Sequence, residues 1–102
     1  MSYTESPIGE VSKTANYTII LSDRIIFVDT SGGAFTLTLP DPAKARGIIF
    51  RIFDTGGALQ SNNLTLARFA AEKIEGLAAS KLLQTNWGGW DLVSNGTDWF
   101  LK

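Results

Sequence analysis

Apolar and polar positions along this chain alternate mostly with period two, in short runs separated by residues that favour turns. Phe35, Leu37 and Leu39 alternate strictly with Thr36 and Thr38, so the three apolar side chains share one face. Ile48, Phe50 and Ile52 do the same against Ile49, Arg51 and Phe53, while Ile25 to Val28 is a continuous apolar run. Further strands are predicted at Asn16 to Leu21, Lys73 to Glu75, Ser80 to Gln84, Trp90 to Val93 and Asp98 to Leu101. Asp41 to Gly47, with Asp41 as cap and Pro42 in first position, reads as one helical turn at most. Ala67 to Ala79 contains helix formers, but Phe69, Ile74 and Leu77 do not share a helical face. Eight or nine short strands with turns every ~8–12 residues predict an all-β domain, a small β-sandwich or a jelly-roll-like or barrel fold.

The turns carry their own chemistry. Between Val28 and Phe35 stand Asp29, whose carboxylate can accept from the backbone two residues on, and Gly32-Gly33, which tolerate positive φ. The motif recurs as Asp54-Thr55-Gly56-Gly57, about 25 residues later. Two copies fall short of the ~3 repeats that a solenoid needs, so each is read as the turn of a β-hairpin. Asn95-Gly96 between apolar runs marks another hairpin. Ahead of these elements, residues 1–13 show no sustained period and form an extended N-terminal arm, leaving residues 14–102 as a single β domain. Tyr3, Pro7, Ile8 and Val11 offer the arm's apolar area, and they are its candidate contacts with a neighbouring subunit or other partner.

Composition alters this reading in one respect. A chain of 102 residues leaves much of its surface exposed, and with Cys 0 and His 0 the usual disulfide and metal staples are missing. Hydrophobic residues make up 44% of the chain and the net charge is -1, so self-association is the expected supplement. The balanced charge, without a basic run, argues against nucleic acid as a partner. No stretch approaches the ~18 apolar residues of a membrane span, and the N-terminus lacks the basic and apolar regions of a signal peptide.

Candidate chemistry is sparse. With no His or Cys to act as base or nucleophile, and with Asp29 and Asp54 placed to form turns, no catalytic residue, metal site or cofactor is expected, and the chain reads as a non-enzyme. Trp87-Gly88-Gly89-Trp90, with Trp99 close by, is a candidate subunit interface or glycan-stacking surface. No polar cluster accompanies these tryptophans along the chain, which favours the packing reading.

One resemblance covers nearly everything after Asn16. The run Asp23-Arg24-Ile25-Ile26-Phe27-Val28-Asp29-Thr30-Ser31-Gly32-Gly33-Ala34, then Thr36-Leu37-Thr38-Leu39-Pro40, Phe50-Arg51-Ile52-Phe53-Asp54-Thr55-Gly56-Gly57, Asn62-Asn63-Leu64-Thr65, Glu72-Lys73-Ile74-Glu75-Gly76 and Leu92 to Phe100 resembles a β-rich module of tailed-bacteriophage virion proteins. Such modules occur in capsid-decorating proteins, head fibres and tail fibres, commonly as trimers. The resemblance implies a virion structural protein, made in the host cytoplasm, whose partners are its own copies and the major capsid protein or another virion protein. Since no long shaft precedes the domain, head decoration through the arm is the expected role. A fibre domain that binds a host glycan is the alternative.

Overall fold

The structure is a computed structural model and describes residues 9–102. Tyr3, Pro7 and Ile8 lie outside the described residues. The strands are β1 Glu10–Lys13, β2 Tyr17–Thr18, β3 Ile25–Val28, β4 Phe35–Thr38, β5 Ile49–Asp54, β6 Leu64–Ala67, β7 Lys81–Leu83, β8 Gly89–Ser94 and β9 Trp99–Leu101. They form two sheets, ordered β1-β3-β5-β8-β9 and β2-β4-β6-β7, and no helix occurs among the described residues. Of the all-β architectures expected, the small β-sandwich is the one formed.

The strand order corrects the hairpin reading of the repeated motif. β3 and β4 do not pair with each other, because residues 29–34 carry the chain from one sheet to the other. Instead β3 pairs in parallel with β1 and β5, and β4 pairs in parallel with β2 and β6. The chain therefore winds as three stacked coils, β1–β2, β3–β4 and β5–β6, each with one strand in either sheet. Facing sheets are separated by about 10 Å and paired strands by about 4.8 Å, so a long corner suits the crossing between sheets. The two Asp-Thr motifs are successive corners of this solenoid, stacked on one another. The Asp29 N–H donates to the Lys13 carbonyl at 3.1 Å, and the Thr55 N–H donates to the Val28 carbonyl at 2.8 Å.

The first coil is the one that the sequence hid. Glu10–Lys13, read as the end of the extended arm, is a sheet strand in register with β3, Glu10 opposite Ile25 and Lys13 opposite Val28. Its Val11 packs against this chain's own core. The strand expected over Asn16 to Leu21 contracts to Tyr17–Thr18, after which Ile19 enters the core and Ile20 and Leu21 turn outward.

After the third coil the direction reverses. β7 lies antiparallel to β6, β8 antiparallel to β5, and β8–β9 is the hairpin that Asn95-Gly96 predicts. The Lys73 to Glu75 segment contributes only bridges at Ile74, to Leu77 and to Trp99. Asp41 closes its single turn, accepting at Oδ1 from the Ala43 N–H and at its carbonyl from Lys44 and Ala45.

Between the sheets, Ile26, Val28, Phe50, Ile52, Leu92 and Trp99 meet Phe35, Leu37, Leu64, Leu66 and Leu83, all buried. Full burial stabilises by roughly 1.5–3 kcal/mol for each large aliphatic side chain. Trp99 stands edge-on to Phe50 at 6.1 Å between ring centroids.

Candidate functional site

The corner that follows β5 gathers more of the chain's unusual features than any other place among the described residues. Asp54 is buried, and its carboxylate accepts three backbone N–H groups: Gly56 at 3.0 Å and Gly57 at 3.1 Å on Oδ1, and Trp87 at 2.8 Å on Oδ2. The first two shape the turn expected from the sequence. The third comes from a residue remote in sequence and fixes the loop between β7 and β8 to the corner.

Trp87 is held there in a left-handed conformation, φ +60, which bulky side chains rarely adopt and which costs about 1–3 kcal/mol. Its indole lies against Gly57, where a Cβ would come within 2.3 Å of Cε2 and Cζ2. Even so, Trp87 is 68% exposed. The other glycines of the Trp-Gly-Gly-Trp motif also make room for rings. A Cβ at Gly88 would meet Trp90 at 2.6 Å, and one at Gly89 would meet Phe53 at 2.9 Å. Thus the three tryptophans separate by role: Trp99 is core, Trp90 is half-buried against the core, and Trp87 faces solvent.

The fold adds a second polar loop to the one that precedes Trp87 in the sequence. Residues 60–63, Gln-Ser-Asn-Asn, and residues 84–86, Gln-Thr-Asn, are brought together at this corner. The Gln60 N–H donates to Asn86 Oδ1 at 2.7 Å, and Gln84 Nε2 donates to Asn63 Oδ1 at 3.4 Å. Contrary to the expectation of no polar cluster with the tryptophans, Gln84-Thr85-Asn86 directly precedes Trp87, and the fold joins it to residues 60–63.

No family model matches this chain, and no curated protein does.

The remaining residues singled out in the sequence have conformational duties. Asp29 accepts the Ser31 N–H at 2.9 Å, and the hydrogen bonds from Ser31, side chain and backbone, hold its carboxyl below the usual carboxylate range. Of Gly32 and Gly33 only Gly33 takes a positive φ, +144, with its N–H on the Thr30 carbonyl. Gly56 sits over the preceding corner, where a Cβ would be 2.0 Å from Asp29 Oδ1. Asn95 Oδ1 accepts from Thr97 and Asp98, and Gly96 has φ +96.

The other acidic groups are similarly engaged. Partial burial raises the affinity of Glu72 for a proton, yet the N–H groups of Ala70 and Phe69 and the Trp99 indole outweigh it and leave the carboxyl below its ordinary range. Asp98 accepts the Lys73 N–H at 2.8 Å. No cluster of three or more potential metal ligands occurs among the described residues.

A second surface lies on the outer face of the five-stranded sheet. Registration places Phe27 beside Phe53, with ring centroids 6.0 Å apart, and Ile49 beside Val93, itself beside Phe100. Ile49 is 45%, Phe53 39% and Phe100 42% exposed. Between these apolar rows Arg51 faces Asp91 at 3.4 Å, both half-exposed.

Proposed function

We propose that this protein is a structural subunit of a bacteriophage virion, a head-decorating protein that assembles with its own copies through the outer face of the five-stranded sheet. The observation that carries the reading is that face: apolar rows of Phe27, Phe53, Ile49, Val93 and Phe100 flanking the Arg51–Asp91 pair. An exposed ion pair of this kind contributes little to a monomer, about 0–1 kcal/mol. Around a three-fold axis neighbouring copies meet head to tail, so the aromatic rows supply the burial and the charged pair orients one copy against the next. The carboxylates that accept backbone N–H groups at corners and turns fit a scaffold in which acidic groups shape loops instead of reacting. The sequence resemblance points to a trimer.

Light scattering on the purified protein, followed by co-sedimentation with undecorated phage heads, tests both parts. The expected result is a trimer that binds heads saturably, with Phe53→Asp giving a folded monomer. A wild-type monomer at micromolar concentration overturns the interface. A trimer that ignores heads and adsorbs to host cells overturns decoration.

A further inference from the structure

We propose that Trp87 is a stacking platform for a neutral sugar ring, and that the amide-rich loops at residues 60–63 and 84–86 read the sugar's hydroxyl groups. Trp87 is 68% exposed, so its ring adds little to the core, yet its backbone is fixed in a left-handed conformation. Non-glycine residues held in such conformations persist where the surroundings over-determine them, and they cluster at ligand contacts. Here the determinants are on both sides: the Asp54 carboxylate takes the Trp87 N–H at 2.8 Å, and Gly57 leaves room for the indole. A ring fixed before binding loses little conformational freedom when a ligand arrives.

The surroundings select the class of ligand. Asn86 is exposed next to Trp87 in the chain, Gln60 is tied to it through its N–H, and Gln60 and Ser61 are exposed in the joined loop. Amides and hydroxyls offer both donors and acceptors, as sugar hydroxyls require. The chain carries no charged residue from Thr55 to Ala67 or from Leu82 to Trp90, so these loops present no counter-charge to a phosphate, sulfate or uronate. The apolar C–H face of a hexopyranose fits an exposed indole, and its hydroxyls fit the rim. This site stands on the Trp87 corner alone and does not depend on the subunit interface.

The test is native electrophoresis in gels cast with dextran, mannan or galactan. Trp87→Gly is the informative variant, since glycine adopts positive φ without strain and removes only the ring. Near-ultraviolet dichroism from Trp90 and Trp99 reports that the variant is folded. Retardation of the wild type by at least one of the three is expected, weakened about tenfold or more by Trp87→Gly and in part restored in Trp87→Phe. Migration of the wild type unaffected in all three gels overturns the proposal, as does equal retardation of Trp87→Gly. A changed subunit number in Trp87→Gly overturns it too, by assigning the ring to an interface between copies.

Discussion

Asp29 and Asp54 occupy equivalent positions in a repeated sequence, and their surroundings make them unequal. Asp54 is buried and satisfies three N–H groups, one from Trp87, whereas Asp29 serves Ser31 at the surface. Asp54→Ala should therefore destabilise the protein by about 3 kcal/mol in urea unfolding, because three donors lose a charged acceptor. Asp54→Asn should recover only part of this, since an amide able to accept from the glycines turns its NH2 toward the Trp87 N–H. Asp29→Ala should lower the midpoint less than either. The sequence made the turn-forming role of both residues legible. It did not reveal the partner of Oδ2, because nothing local connects residue 54 with residue 87. Tyr17 supplies a pH test: burial, then its 2.6 Å hydrogen bond to Asp23 and the charge of that carboxylate, push the phenol from 10.0 to about 12. The neutral phenol is the favoured form in the fold. Its contribution is complete below pH 10 and lost as pH rises through about 12, a loss that Tyr17→Phe should remove from the pH profile of unfolding.

At the scale of elements, the strand faces were readable and their partners were not. Phe35, Leu37 and Leu39 point inward as their alternation requires, and so do Phe50 and Ile52. Alternation is the same for one strand of a hairpin and for one side of a coil, so the pattern could not distinguish them. The first coil was hidden for a different reason. Glu10–Lys13 offers Val11 as its one apolar side chain, and Tyr17–Thr18 is only two residues long, which left the two legible copies short of a solenoid. The stacking of corners can be tested by coupling. Gly56→Ala should destabilise by driving a methyl group into Asp29, and the penalty should shrink in an Asp29→Gly background. A non-additivity well above the ~0.3–0.5 kcal/mol scatter of independent sites is expected for stacked coils, and additivity is expected for separate hairpins.

For the whole molecule, the two surfaces described belong to different parts of the fold and separate experimentally. Phe100→Asp, at the Ile49 end of the sheet face, should change the subunit number while leaving polysaccharide retardation in place. Trp87→Gly should do the reverse. The composition already pointed to association, since a small chain with few charges leaves apolar area uncovered. The face proposed for it emerged only from the register that sets Phe27 beside Phe53 and Arg51 opposite Asp91.

Winding also decides how the molecule comes apart. Each of the three coils contributes a strand to both sheets, so neither sheet can separate while the other remains intact. Amide exchange should therefore resolve units that run across the sandwich, with Ile25–Val28 and Phe35–Thr38 opening together although they share no ladder. Loss of one whole sheet's protection ahead of the other's would be the behaviour of two independent layers. A single wound ribbon does not allow it.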